Sequence, residues 1–185
     1  MHFIVYDIEA TCWASPSEME RKTREVIEIG ALKLDTEGNL ISEFNSLVRP
    51  SVHPTLSSFC TQLTSITQID VNQADPYSIV IDDFKDWIGD TYEEEEEYLL
   101  CSWGNFDQKI LYKNCKLYQL DAEWTKKHIN LKFQYPRIKG IQREIGLKQA
   151  IKNEGFEFEG TPHRAINDAG NLAKIFVKYL NLWSR

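Results

Sequence analysis

Asp7 and Glu9 stand two residues apart at the end of Phe3-Ile4-Val5-Tyr6, a β-branched and aromatic segment that predicts a buried strand. Residues i and i+2 of a strand share a face, so the two carboxylates project together. Carboxylate oxygens suit hard cations, although such a pair taken alone is equally the solvated end of a strand. Asp107 follows the apolar segment Tyr98 to Trp103 and the turn Gly104-Asn105-Phe106. It opens a predicted helix that faces Ile110, Leu111 and Cys115 inward, and its simplest role there is an N-cap. Asp168 borders the apolar stripe Ala165, Ala169, Leu172, Ala173, Phe176 and Leu180. A carboxylate facing a sheet must be hydrogen-bonded, paired or bound to a metal, because an isolated buried charge is expensive. Partial exposure beside Arg164 is the alternative. His163 precedes Asp168 by five positions, about 140° around an ideal helix, so the two cannot share one helical face. His163 is therefore expected in the loop after Pro162, leaning over the site from the helix entrance. The plain alternative is a solvent-exposed loop histidine.

These residues need elements to hold them. Val26 to Leu34 and Leu40 to Val48 predict a hairpin joined by the turn Asp35-Thr36-Glu37-Gly38-Asn39, with Arg49-Pro50 ending the second strand. Leu56 to Leu63 reads as a short helix capped by Ser57 or Ser58. After Pro76, the positions Val80, Phe84, Trp87 and Ile88 follow helical spacing up to Gly89. Further helices are predicted at Ile138 to Ile145, Leu147 to Glu154 and Ala165 to Leu182. A meander followed by alternating strands and helices argues an α/β fold with a mixed sheet. There is no internal repeat or low-complexity linker, so residues 1–185 are expected to form one domain.

Composition bounds the function classes. The chain has 185 residues, 42% hydrophobic and 26% charged, which excludes disordered, collagenous and disulfide-scaffold proteins. No apolar run approaches the ~20 residues that span a bilayer, and no signal peptide is expected, so the protein is read as cytoplasmic. Four isolated cysteines, Cys12, Cys60, Cys101 and Cys115, read as reduced thiols rather than a zinc site or redox pair. The net charge of −7 argues against a nucleic-acid partner. Five acids, however, lie in the run Glu93 to Glu97, expected as a solvated loop. Setting these and the four candidate site acids aside leaves the rest slightly basic. That removes the objection without showing a basic patch.

Taken jointly, Asp-x-Glu on a first strand, an Asp after a later strand and His-x4-Asp on a C-terminal helix resemble the DEDDh exonucleases, which have an RNase H-like fold. The opening Asp7-Ile8-Glu9-Ala10-Thr11-Cys12-Trp13 is similar to that of the Eri-like exoribonucleases, a group including histone-mRNA 3′-to-5′ exonucleases and KapD-like bacterial proteins. Arg49-Pro50, the segment Leu56 to Thr64 with Ile66-Thr67-Gln68, and Gly160 to Ala169 extend the likeness over nearly the whole chain. Gly104-Asn105 and the acidic run depart from the family pattern. No additional nucleic-acid-binding module is expected before the core, which would put in doubt a structured-RNA target that such a module would select.

The resemblance implies a mixed five-stranded sheet flanked by helices and a metal-dependent 3′-to-5′ exoribonuclease acting on single-stranded RNA. It implies two divalent ions, Mg²⁺ or Mn²⁺, about 4 Å apart. Asp7 would bridge both, Glu9 and Asp168 would complete the first, and Asp107 would hold the second, partly through water. His163 would be the general base, a task that imidazole side chains commonly perform. Ile8, Ala10, Phe59, Cys60, Leu63, Thr64 and Phe106 would contact the terminal nucleotide. Each of these also has a reading as a core residue. No obligate protein partner is implied. A DNA exonuclease of the same superfamily and an inactive nucleic-acid-binding relative are the competing readings.

Overall fold

A computed structural model describes residues 1–90 and 97–184; apart from Glu97, the acidic run lies outside the described residues. The strand β1 (His2–Ala10) runs through the middle of a five-stranded sheet of order β3-β2-β1-β4-β5. On one side it pairs antiparallel with β2 (Val26–Leu34), which forms the expected hairpin with β3 (Leu40–Leu47). On the other it pairs parallel with β4 (Tyr98–Ser102), which pairs parallel with β5 (His128–Asn130).

Alternation along β1 divides its side chains between two cores. Ile4, Tyr6 and Ile8 pack with residues of α4 (Tyr77–Ile88) and α5 (Phe106–Leu117). Phe3 and Val5 pack with Leu172, Ile175 and Phe176 of α8 (Ala165–Lys178). Asp7 and Glu9 continue the second series and so emerge beside the N-terminus of α8. That helix approaches β2 so closely that a Cβ on Gly30 would overlap the backbone of Ala165 and Ile166. Glycine at 30 is thus what lets the start of α8 reach the sheet.

Three short helices complete the first half: α1 (Pro16–Arg21), with Pro16 at its first turn, and α2 (Ser58–Thr64) and α3 (Gln68–Gln73), both capped by side chains. Ser57 is the cap of α2, its hydroxyl accepting from Cys60 N at 3.0 Å. The helix expected at Ile138 to Ile145 is absent. In its place α6 (Leu131–Lys139), capped by the Asn130 side chain, ends at Gly140 in the left-handed region, and residues 140–146 form a loop. Ile138, Ile141 and Ile145 do pack on the core, but from a helix end and a loop, so their helical spacing was misleading. The helix α7 (Leu147–Asn153) lies where expected, whereas α8 stops at Lys178 and a 3₁₀ turn covers Leu180–Leu182. All four cysteines are buried free thiols. No helix among the described residues is long and apolar enough to cross a membrane.

Candidate active site

The four acids and His163 meet at the end of β1, in a cleft of about 390 Å³. Asp7 and Glu9 reach it from the strand itself. Asp107 is the second residue of α5 and not its cap, which is Asn105; its Oδ1 instead accepts the Ile8 backbone N–H at 3.3 Å. This bond ties the first turn of α5 to β1 between its two acids. Asp168, in the first turn of α8, accepts the His163 backbone N–H on Oδ2 at 3.0 Å. His163 itself stands in the loop before the helix, as its spacing requires. Its side chain is 53% exposed and its Nδ1 lies 4.0 Å from Glu9 Oε1.

The loop and helix are fixed from behind by an ion pair. Glu28, opposite Glu9 in the sheet register, is fully buried. It accepts Arg164 Nη2 on Oε1 at 2.7 Å and Ala165 N on Oε2 at 2.8 Å. Paired and hydrogen-bonded in this way, a buried carboxylate is satisfied, and Arg164 is held between the base candidate and the helix. His163 adopts φ 62°, a left-handed conformation uncommon for a non-glycine residue.

So many carboxylates in one cleft oppose one another's ionisation. Burial, then the Asp107, Glu9 and Asp168 charges, holds the Asp7 carboxyl well above its ordinary range. Burial and the Asp168, Glu28 and Asp107 charges push Glu9 up to about 8. Burial pushes Asp107 up to about 6, against the hydrogen bonds it accepts, and raises Asp168 as well. A site that resists ionisation when metal-free is one a divalent cation would complete. Donor atoms of Glu9, His163 and Asp168 lie within 4.8 Å of one another, and an oxygen-rich set suits Mg²⁺ or Mn²⁺.

The same electrostatics predict the stability of the chelated protein. Glu9 and Asp107 bind protons more tightly folded than unfolded, so stability is greatest at low pH within this window. It falls as pH rises from the ordinary carboxyl range of about 4 through 6 to 8. Melting curves in chelator should decline across that window. Adding Mn²⁺ or Mg²⁺ at pH 8 to about a hundredfold excess over Kd should restore on the order of 3 kcal/mol, or roughly 5–10 °C. A pH-independent melting temperature that no metal moves would contradict this account.

The other nucleotide-contact candidates are placed unevenly. Ile8 and Phe106 line the cleft, and Phe106 is 43% exposed. Ala10, Cys60 and Thr64 are buried behind it: Cys60 Sγ donates to the Ala10 carbonyl at 3.8 Å, and Thr64 Oγ1 to the Cys60 carbonyl at 2.9 Å. Leu63 packs against that cluster and Phe59 is exposed on α2. The cleft has further walls that the sequence reading did not single out, namely Trp103, Leu147, Lys148 and Phe158. Trp103 is fixed by an Nε1 hydrogen bond to the Ile145 carbonyl at 3.0 Å. Its position beside Gly104 at the end of a buried strand was the available signal.

Comparison with known proteins places this geometry. The exonuclease family model matches residues 4–176. The chain is 31% identical to ERI1 exoribonuclease 2 of Xenopus laevis, over 94% of this chain and 28% of that protein. It is 32% identical to 3′-5′ exoribonuclease 1 of Homo sapiens, over 97% of this chain and 52% of that one. The chain therefore spans about half the length, or less, of these curated relatives. Among solved structures, the nuclease domain of 3′hExo, a DEDDh family member bound to rAMP, superposes with a TM-score of 0.87 at 29% identity, covering 97% of this chain and 92% of that one. Cell-death related nuclease 4 shares the fold, with a TM-score of 0.85 at 21% identity over 98% of this chain and 64% of that one. The mixed sheet with its flanking helices is thus the RNase H-like exonuclease fold. A family match that begins in β1 and ends in α8 takes in all four acids and His163, and this chain belongs to the exonuclease family, on its DEDDh 3′-to-5′, Eri-like branch.

Proposed function

We propose that this chain is a 3′-to-5′ exoribonuclease that hydrolyses single-stranded RNA ends to nucleoside 5′-monophosphates. The observation that carries this reading is the convergence of Asp7, Glu9, Asp107, Asp168 and His163 in one cleft, with aromatic walls beside it. Asp7, Glu9 and Asp168 would hold one divalent ion, and Asp7 with Asp107 a second. When bound, such a pair supplies an activated water, neutralises the phosphate and stabilises the departing oxygen. His163 takes the water's proton, and Glu9 Oε1, 4.0 Å from Nδ1, stabilises the imidazolium that forms. The hydrogen bond from its own backbone to Asp168 keeps the imidazole over the metal ligands.

The terminal base stacks against Phe106, with Trp103 closing the cleft beyond it; such stacking contributes about 1–3 kcal/mol per base. Phe59 and Leu63 flank the nucleotide from α2. That helix is held to the segment just after β1 by Ser57 Oγ, which donates to the Cys12 carbonyl at 2.6 Å.

A panel of matched substrates tests the reading. A single-stranded RNA should yield nucleoside 5′-monophosphates one at a time from its 3′ end, and the matched DNA should be cut more slowly. A terminal 3′-phosphate should inhibit, since it adds charge beside the carboxylates. Cleavage within a circular RNA would overturn the assignment, and faster turnover of the DNA would redirect it to a DNA exonuclease.

A further inference from the structure

Beside the catalytic cleft lies a second concavity of about 520 Å³, between the 19–24 segment and the outer side of α5. Phe106 lines both and forms the partition between them. The second is walled by Arg21, Lys22, Arg24, Lys109 and Lys113, against a single carboxylate, Glu20. In a chain of net charge −7 this is a local inversion of sign. Lys22 is paired with Glu18 at 2.9 Å and Arg21 folds back onto Ser17. Arg24, Lys109 and Lys113 have no carboxylate partner among the described residues.

The groove is preformed. Buried Asn114 donates from Nδ2 to the Arg24 carbonyl at 3.0 Å and accepts the Val26 N–H on Oδ1 at 3.0 Å, fastening one wall to the other. Arg24 lies over the Phe106 ring, its guanidinium carbon 5.4 Å from the centroid, at the passage between the two concavities. Lys109 and Lys113 are exposed one helical turn apart on the same side of α5, a spacing of about 6 Å along the axis. Like charges so placed cost a few tenths of a kcal/mol in the free protein, and an anionic ligand removes that cost.

We propose that this groove is a binding track for the sugar–phosphate backbone of the single strand whose 3′ end occupies the catalytic cleft. Arg24 meets the strand where it passes Phe106, and Lys109 and Lys113 hold phosphates further upstream. This rests on the exonuclease reading and deepens it. An extended polyanion that carries bases fits best, because single-strand sites combine a basic groove with an aromatic stacking platform, and Phe106 with Arg24 supplies both in one place.

The test uses the exposed pair, Lys109→Gln with Lys113→Gln. With UpU as substrate, too short to reach Lys109 and Lys113, kcat/KM should be unchanged from wild type. With a twelve-nucleotide oligo(U), kcat/KM should fall about tenfold at moderate salt. Binding of the labelled oligo(U) to Asp7→Asn protein, read by anisotropy across a salt series, should lose about 0.7 of slope in log K against log salt for each phosphate contact removed, so roughly 1.4 in all. Equal loss on UpU and the twelve-mer, or no loss on the twelve-mer, would overturn the track. So would poly-glutamate of matched charge competing as well as oligo(U), which would assign the groove to an acidic protein. The binding arm needs no turnover: a protein that binds the twelve-mer with the expected slopes yet hydrolyses nothing would sink the exonuclease reading while the track stands.

Discussion

Asp7→Asn should abolish turnover and leave the fold intact. Asp7 sits on the central strand, paired with Gly30 of β2, where the charges of Asp107, Glu9 and Asp168 all act on it. Asparagine keeps the shape of the side chain but removes the charge that two cations would share. Several kcal/mol of transition-state stabilisation would depend on those cations, so the loss should be on the order of 10³-fold or greater. The chelated variant should also melt higher than chelated wild type, because one of four mutually repelling carboxylates is gone. Retention of a substantial fraction of wild-type activity at saturating Mg²⁺ would refute the bridging role.

His163→Ala should separate proton transfer from metal binding. General-base catalysis typically contributes 10²–10⁴-fold, and a loss in that range is expected with metal affinity nearly unchanged. The acidic limb of the wild-type pH–rate profile should flatten or move in the variant. Deprotonation of a metal-bound water produces a similar limb, but that limb would survive the substitution. A wild-type rate with an unaltered profile would reduce His163 to a loop residue beside the site. A large fall in metal affinity, read by the thermal shift with Mn²⁺, would make it a ligand.

Much of this site is legible in the amino-acid sequence because its parts obey local rules. Period-two alternation placed Asp7 and Glu9 on one face of β1, and the five-residue offset put His163 outside the helix that carries Asp168. A serine cap at Ser57 or Ser58 is expected by residue type, and Ser57 is the one that caps. Where local rules compete, the reading failed: Ile138, Ile141 and Ile145 have helical spacing, yet Gly140 breaks the helix between them. The strand β5 has three residues and α1 buries none, so neither leaves a periodic trace. The groove beside Phe106 was invisible for a different reason. Its cations come from residues 21–24 and 109–113, and a net charge sums over the whole chain what the fold gathers into one place.

The backbone at His163 sets folding against chemistry. A left-handed φ at a residue with a Cβ costs roughly 1–2 kcal/mol, and glycine would adopt it freely. Codon 163 is therefore a place where a heat-challenged library drifts toward sturdier but inert clones. His163→Gly should outlast wild type in a melt and, if His163 is the proposed base, turn over as slowly as His163→Ala. Directed evolution of this scaffold for ruggedness would need turnover as a simultaneous criterion, because survival alone would reward discarding the proposed base.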